Sequence, residues 1–284
     1  MSNDRALVLG GGGVAGIAWM TGLLAGLADA GQDVTDADVV IGTSAGSTVA
    51  AHLGSGLALA ELFERQVDPA LQSAEIFASV DLATVGSEIA EYLSGASSPE
   101  EALRRLGTYA LEAATVPESD RRAVIESRLP MPVWPERPMR LTAVDVLTGE
   151  LRLFDRSSGV SVIDAVAASC AVPGVWPPVT IDGRRYMDGG VRSGDNADLA
   201  AGSADIVIIS PLGFDSPLPS PLPLRAVVGR LRDGGAEVTV IQPDLASAAA
   251  VGINPLDPAT RLPAANAGRA QGRAGLAGAA ADER

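Results

Sequence analysis

The chain has 284 residues, of which 47% are hydrophobic and 20% charged, a composition typical of a globular protein with a sizeable core. Its net charge of −14 argues against nucleic-acid binding, which needs a basic face. All 21 basic residues are arginine, so a Walker A lysine, a Schiff-base lysine and a Ser-Lys dyad are excluded. One cysteine, Cys170, and one histidine, His52, cannot make an internal disulfide or a Cys/His metal site.

The N-terminal residues do not resemble a targeting segment. Residues 1–5 lead directly into a short apolar run that glycines interrupt, unlike a signal peptide. The chain also lacks the uninterrupted apolar stretch of about 18 residues or more that a transmembrane helix needs. We therefore expect a cytoplasmic protein.

Short apolar, β-branched runs alternate with segments of helical composition along the chain. Such alternation predicts βαβ units and a mostly parallel sheet covered by helices on both faces, an α/β fold. The predicted strands cover residues 6–9, 38–41, 139–146, 205–210 and 237–241. The predicted helices cover residues 14–30, 46–53, several stretches between 57 and 127, and residues 160–168, 222–232 and 257–280.

Two predicted hairpins interrupt the alternation. Residues 147–150 join 141–146 to 151–154, and the dipeptide Asp182-Gly183 joins 179–181 to 184–187. Asp-Gly between two apolar runs is a strong signal for a two-residue turn. The second hairpin therefore brings Asp188 to the end of a strand.

Two longer segments each leave two interpretations open. Residues 57–128 are helix-like without a core strand, and they either form a cap that presents apolar side chains to a lipid or pack only against the sheet. Residues 211–223 are rich in proline and form either a plain surface loop or a flap beside the active site. We expect one domain over residues 1–284, ending in a helix or tail over 254–284.

A glycine-rich loop follows the first strand. Gly11, Gly13 and Gly16 match the G-x-G-x-x-G pattern of dinucleotide sites, but the second strand ends at Thr43 and Ser44 without the acidic residue that would hold the ribose. Consecutive glycines before a helix can equally direct backbone N–H groups at a different anion, the oxyanion of an acyl intermediate. A tight turn without ligand is the third interpretation.

Ser44 lies in the sequence Gly42-Thr43-Ser44-Ala45-Gly46, between a predicted strand and a predicted helix. This G-x-S-x-G pattern in a strand–turn–helix context is typical of a nucleophilic serine on a sharp turn. His52 lies on the same predicted helix, roughly 12 Å further along its axis at about 1.5 Å per residue, too far to accept the serine proton. Some other group must therefore activate Ser44, and Asp188, followed by Gly189 and Gly190, is the candidate.

Together these motifs resemble the patatin-like phospholipases. The resemblance spans about residues 5–200 and rests on residues 11–16, 42–46 and 188–190, supported by residues 168–179 and by 142–145 with 148–150. One departure is Ala15, where the family usually has a basic residue; it affects a side-chain contact to substrate but not the backbone donors.

The resemblance implies a three-layer α/β/α sandwich that hydrolyses acyl esters of lipids, in the manner of a phospholipase A or lysophospholipase, with a Ser-Asp dyad and no metal or organic cofactor. It implies that Ser44 is the nucleophile and Asp188 the general base, that the amides of Gly11, Gly12 and Gly13 hold the oxyanion, and that Asp145 is structural. The implied supporting residues are Gly16, Gly42, Gly46, Gly189 and Gly190. Its partners would be a lipid or acyl-ester substrate and, transiently, a membrane surface.

Three alternatives remain open. The glycine loop would also suit a dinucleotide- or phosphate-binding protein, and the same fold would suit an acyltransferase or an inactive scaffold. We expect His52 to have no catalytic role and Cys170 to be a small buried hydrophobic residue.

Overall fold

The computed structural model describes residues 4–78, 82–216 and 220–279, and its centre is a mostly parallel sheet. The strands are β1 (Arg5–Leu9), β2 (Val39–Thr43), β3 (Met139–Asp145), β4 (Leu151–Phe154), β5 (Val179–Ile181), β6 (Arg184–Asp188), β7 (Asp205–Ile209) and β8 (Glu237–Ile241). The α-helices are α1 (Gly13–Asp29), α2 (Ala45–Leu53), α3 (Leu59–Val67), α4 (Leu82–Leu93), α5 (Pro99–Glu112), α6 (Glu118–Arg128), α7 (Val162–Ser169), α8 (Leu224–Asp233), α9 (Leu245–Val251), α10 (Arg261–Gly272) and α11 (Gly275–Ala279).

The strand order is β5-β6-β3-β2-β1-β7-β8, with β4 paired to β3 outside this path. Strands β3, β2, β1, β7 and β8 run parallel, whereas β4, β5 and β6 join the sheet antiparallel. Both predicted hairpins are confirmed. In the second, Asp182 and Gly183 have φ values of 50° and 75°, the left-handed conformation that a two-residue hairpin turn requires.

Helices cover the sheet on both faces. Successive residues of a strand point to opposite sides of the sheet, and here both sides carry apolar side chains that the helices bury. Leu7 and Leu9 of β1 pack into one core with α1, α2, α7 and α10. Ala6 and Val8, the alternate residues, pack into a second core with α8. The predicted three-layer α/β/α sandwich is confirmed.

Helix α1 is buried along most of its length because α10 covers the side that faces away from the sheet. The two helices approach through glycines on both sides of the contact. A Cβ atom on Gly22 would overlap the carbonyl oxygen of Ala265, and one on Gly268 would overlap that of Trp19. The Trp19 indole also donates a hydrogen bond to Gln271 (3.1 Å). This packing fixes α1, whose N-terminus lies at the glycine loop.

The helix predicted over residues 257–280 is wrong in part. A short 3₁₀ turn at Pro258–Thr260 precedes α10, and the chain breaks again before α11, where Gly275 has a φ of 75°. Residue 280 lies outside the described residues. Helix α9 was not predicted, because a seven-residue Ala/Ser-rich segment lacks a clear apolar period.

Residues 57–128 contain helices α3 to α6, as their composition predicts, with 79–81 outside the described residues. Residues 211–223 lack helix or strand where the structure describes them, which excludes 217–219. Across the described ranges, no helix is both long enough and apolar enough to cross a bilayer.

Candidate active site

Ser44 occupies a sharp turn between the end of β2 and the start of α2. It is one of the few non-glycine residues with positive φ (φ 52°, ψ −115°), a sparsely populated conformation that such residues keep only where the surroundings enforce it. The flanking glycines make the turn sterically feasible. A Cβ on Gly42 would lie 2.7 Å from the carbonyl oxygen of Gly46, and one on Gly46 would overlap that of Leu9. Ser44 is half-buried in this elbow.

The backbone of Ser44 is held on both sides. Its amide donates to Oγ of Ser169 (2.9 Å), at the end of α7. Its carbonyl oxygen accepts from Oγ of Ser47 (2.6 Å) and from Sγ of Cys170 (3.2 Å). Cys170 is buried, as expected. Its contact with the Ser44 carbonyl oxygen is polar, however, and was not predicted for a buried hydrophobic residue. These contacts orient the elbow without using the Ser44 hydroxyl.

Asp188 lies at the end of β6, and the register of the sheet brings it towards Ser44. Asp188 is opposite Ala143 in β3, and the preceding residue of β3, Thr142, is opposite Thr43 in β2. Ser44 directly follows Thr43. A single strand, β3, therefore separates the ends of the two segments that carry Ser44 and Asp188.

The carboxyl group of Asp188 is buried and only partly satisfied. Oδ1 accepts a hydrogen bond from the amide of Gly190 (2.7 Å). Oδ2 accepts no hydrogen bond from any of the residues that the structure describes. Burial raises the pKa of Asp188 to about 7, and the Ser44 hydroxyl, the Gly190 amide and the charge of Arg121 act in the opposite direction. Asp188 therefore titrates near neutrality, where a general base works best.

A buried polar network sets the position of the segment after Asp188. Nδ2 of Asn196 donates to the carbonyl oxygens of Gly189 (3.1 Å) and Ser193 (2.9 Å) and to Oγ1 of Thr43 (3.1 Å). A Cβ on Gly189 would overlap Oγ1 of Thr142, which explains the glycine after the aspartate. Asn196 thus links the end of β2 to the Asp-Gly-Gly turn, and no motif in the sequence indicates this role.

The glycine loop lies against the elbow. The amide of Gly46 donates to the carbonyl oxygen of Gly10 (3.0 Å). A Cβ on Gly11 would lie in van der Waals contact with the Ser44 Cβ, at 3.6 Å. The structure therefore places the loop beside the serine side chain, as an oxyanion site requires.

The three loop amides differ in their hydrogen bonding. The Gly11 amide already donates to the carbonyl oxygen of Gly194 (2.9 Å) and is not a free donor. The amides of Gly12 and Gly13 have no acceptor within the described part of the chain. These two amides, at the N-terminus of α1, are the available ones.

The space in front of the loop is narrow. The Pro255 carbonyl accepts from the Ala15 amide (2.9 Å), and a Cβ on Gly13 would lie 2.7 Å from that same oxygen. Pro211 lies on the other side, 2.5 Å from a Cβ placed on Gly12, and also faces Gly16. Pro255 and Pro211 therefore pack closely against the glycine loop, and the Ala15 amide is not available to a ligand.

His52 and Asp145 each contact nearby backbone or side-chain groups. Nε2 of His52 is hydrogen bonded to the carbonyl oxygen of Arg128 (2.9 Å), and burial lowers the pKa of His52 to about 4. The carboxylate of Asp145 accepts from the amides of the β3–β4 turn and pairs with Arg184 (2.7 Å). The described residues include no group of three or more Asp, Glu, His or Cys side chains that would hold a metal.

Two buried charged residues near the site were not predicted. The guanidinium of Arg121, in α6, lies 3.8 Å above the ring of Trp176 and is 5% exposed. Asp195 lies against Gly10, and burial raises the pKa of Asp195 to about 7, an effect that the hydroxyl of Ser210 opposes. Neither residue belongs to a recognisable sequence motif. Both are buried by contacts between distant segments, which the local sequence does not indicate.

Comparison with known proteins gives a family and a set of similar structures. The family model described as patatin-like phospholipase matches residues 7–201. VipD from Legionella pneumophila is 13% identical, with a TM-score of 0.47 over 98% of this chain and 67% of VipD. The type III effector ExoU is 15% identical, with a TM-score of 0.41 over 97% of this chain and 53% of ExoU. A complex of SpcU with ExoU from Pseudomonas aeruginosa gives 18% identity and a TM-score of 0.37, over 95% of this chain and 53% of the matched chain.

The chain thus spans about half the length of ExoU. The family match covers both the Ser44 elbow and the Asp188 turn, as well as the glycine loop. The chain belongs to the patatin-like phospholipase family.

Proposed function

We propose that the protein is a serine hydrolase of acyl esters in lipids, of the phospholipase A or lysophospholipase type, and that it works through a dyad of Ser44 and Asp188. Membership of the patatin-like phospholipase family supports a lipid hydrolase. The observation that carries the finer proposal is the pairing of a half-buried serine on a strained elbow with a buried carboxyl group whose Oδ2 lacks a partner among the described residues.

In the first step of the proposed reaction, Oγ of Ser44 attacks the carbonyl carbon of the ester while the hydroxyl proton passes to the Asp188 carboxylate. The tetrahedral intermediate collapses, the C–O bond to the alcohol breaks, and the leaving alkoxide takes the proton from Asp188. Water then attacks the acyl-serine, again giving its proton to Asp188. Ser44 recovers that proton as it leaves, and the fatty acid is released.

The oxyanion of each tetrahedral intermediate would be held by the amides of Gly12 and Gly13. Both amides are at the positive end of the α1 dipole and are free of acceptors in the described structure. Gly11 supports them indirectly, because its bond to Gly194 fixes the loop beside Ser44. Donors of this kind are worth about 10²–10³ in kcat when one is removed.

The remaining sequence-based expectations stay predictions. They are a single domain, a cytoplasmic location, the absence of a metal or organic cofactor, a transient contact with a membrane surface, and no binding of nucleic acid. An acyltransferase would use the same acyl-Ser44 intermediate but pass the acyl group to an alcohol. Product analysis with added acceptor alcohols distinguishes the two reactions.

The decisive experiment compares three variants in a lipid-ester assay and in labelling by a fluorophosphonate, which reacts with activated serines. We expect Ser44→Ala to lose both hydrolysis and labelling. Asp188→Asn should lower kcat by at least about 10²–10⁴-fold, the usual contribution of a general base. His52→Ala is the matched control and should change the rate only a few-fold.

Labelling of another serine in Ser44→Ala would contradict the assignment of the nucleophile. A larger loss in His52→Ala than in Asp188→Asn would contradict the dyad. If the unchanged protein labels at Ser44 but produces only transesterified lipid, the protein is an acyltransferase on the same site.

A further inference from the structure

Arg121 is a buried cation without a polar partner beside the proposed dyad. Its side chain is only 5% exposed, yet its Nε and Nη1 atoms have no hydrogen-bond acceptor among the residues that the structure describes. A buried charge without compensation is costly, and buried charges in proteins are ordinarily paired and hydrogen bonded.

The guanidinium is held in a fixed plane. The ring of Trp176 lies 3.8 Å from its central carbon, a cation–π stack that leaves the edge of the guanidinium, with its N–H groups, available. Trp176 and Val175 pack with Val85 and with Ile76 in an apolar cluster. Arg121 is therefore held against an apolar cluster, with its N–H groups outside the stack.

The buried groups around Arg121 carry more positive than negative charge. Arg128 and Arg261 are both buried, and both pair with the single carboxylate of Glu75, at 2.6 Å each. Arg121 attracts Asp188 electrostatically, but within the described structure Nε and Nη1 of Arg121 and Oδ2 of Asp188 make no hydrogen bond. Three buried arginines thus share two buried carboxylates, and Arg121, which has no ion pair within the described residues, is the one whose charge acts on Asp188.

Building on the proposed function, we propose that Arg121 is a specificity-determining residue that binds a phosphate oxygen of a phospholipid whose ester is held at Ser44. A guanidinium N–H group donates a charge-assisted hydrogen bond to a phosphate oxygen, a stronger bond than one between neutral groups. The role is additional to the dyad, because a neutral ester would react at Ser44 and Asp188 without this contact.

The test measures kcat/KM on two soluble short-chain substrates with the same acyl chains, a diacyl phosphatidylcholine and a diacylglycerol. In Arg121→Gln we expect kcat/KM for phosphatidylcholine to fall about tenfold or more, the size of one lost charge-assisted hydrogen bond. The value for diacylglycerol should stay within about twofold. Arg122→Gln is the matched control, because this neighbouring arginine is 41% exposed and pairs with Asp164 on the surface; it should leave both values unchanged.

Two further measurements separate the competing explanations. An alkyl phosphate should inhibit the unchanged protein more strongly than Arg121→Gln, whereas a fatty acid should inhibit both equally; the reverse pattern would assign Arg121 to the product carboxylate. The Tm of Arg121→Gln should be unchanged or higher, since the substitution removes an uncompensated buried charge.

Equal losses on both substrates would mean that Arg121 acts through Asp188 or through the fold, and would overturn the proposal, as would no loss on either. If the unchanged protein hydrolyses neither substrate and does not label at Ser44, the proposed function itself fails and this inference fails with it. If it hydrolyses both and Arg121→Gln does not discriminate, only the inference about Arg121 fails.

Discussion

The amide of Ser44 donates a hydrogen bond to Oγ of Ser169, 2.9 Å away, across 125 positions of the chain. This contact ties the elbow to the end of α7, and Cys170, the next residue, contacts the Ser44 carbonyl oxygen. The segment after α7 also continues to Ala171, whose carbonyl oxygen accepts from the Asp188 amide (3.0 Å). One segment therefore contacts the backbones of both members of the proposed dyad.

Ser169→Ala should therefore lower kcat by more than the accompanying loss of folding stability would cause. We expect kcat to fall by about tenfold, because the Ser44 amide loses its acceptor and the elbow is less well positioned. Ser161→Ala is the matched control: Ser161 caps the start of the same helix, its loss costs about 1 kcal/mol, and it lies away from the dyad. Similar effects of the two substitutions on kcat, measured together with Tm, would show that the Ser169 contact is only structural.

The pH dependence of hydrolysis should report the ionisation of Asp188. Its pKa is raised to about 7 by burial, and only the ionised carboxylate accepts a proton. We expect kcat/KM to rise with pH, to reach half of its plateau near pH 7, and to fall about tenfold per pH unit well below that point. Asp195→Asn should leave this inflection in place. A rate that is constant between pH 5 and 8 would exclude Asp188 as the base.

Asp195 should affect stability in the opposite pH direction from a carboxylate in an ion pair. The pKa of Asp195 is raised from 3.8 to about 7, so the folded protein binds this proton more tightly than the unfolded chain. The resulting stability is present below about pH 4 and is lost as pH rises through 7. Asp195→Asn should remove this loss and increase the free energy of unfolding at pH 8 by about 1 kcal/mol or more relative to the unchanged protein.

Urea unfolding at pH 5 and pH 8 measures this effect. Asp36→Asn is the control, because that side chain is 67% exposed and its ion pair with Arg5 lies at the surface, where such a pair contributes little; it should change both values only slightly. If Asp195→Asn is less stable than the unchanged protein at pH 8, Asp195 is ionised and satisfied in the folded state.

Local sequence predicts the elements of the site that local geometry determines. Gly42 and Gly46 are required by the turn itself, and the left-handed Asp182-Gly183 turn places Asp188 at a strand end. The alternation of strands and helices likewise predicts the layers of the sandwich. These features depend on residues close together in the chain.

The roles of Arg121 and Asn196 depend instead on contacts between distant segments. Helix α6 has a strongly polar sequence, which predicts exposure, whereas the structure buries Arg121 against Trp176. The assignment of the loop amides also required the structure, because Gly194, whose carbonyl oxygen occupies the Gly11 amide, is far from the loop in sequence.

Hydrolysis should not depend on a metal ion. The described residues contain no cluster of side chains able to hold one, and the proposed dyad needs only a serine and a carboxylate. Initial rates should therefore be equal, within about twofold, in excess chelator and in added Ca²⁺ or Zn²⁺. Activity that is lost in chelator and restored by Ca²⁺ would contradict the dyad mechanism.

The effect of salt should depend on the charge of the lipid surface. A chain with a net charge of −14 is repelled by anionic vesicles, and the repulsion reaches about 30 Å at 0.01 M salt but only about 8 Å at physiological ionic strength. We expect initial rates on anionic vesicles to rise with moderate salt, and rates on neutral micelles or soluble esters to stay nearly constant. A steep fall with salt on anionic vesicles would instead reveal a basic docking face.

Productive contact with vesicles must then come from apolar side chains near the site. Residues 57–128 and the loop around Phe214 and Leu218 are the segments that could supply them, and of these two residues Leu218 lies outside the described residues. Phe77 is the best candidate, because it is 63% exposed and follows Ile76, which packs in the cluster with Trp176. Phe77→Ser should lower the rate on vesicles several-fold but not the rate on soluble esters. Val133→Ser, at a residue that is 56% exposed and lies in the segment before the start of β3, should change neither rate. Equal losses in the two variants would exclude a specific role for Phe77.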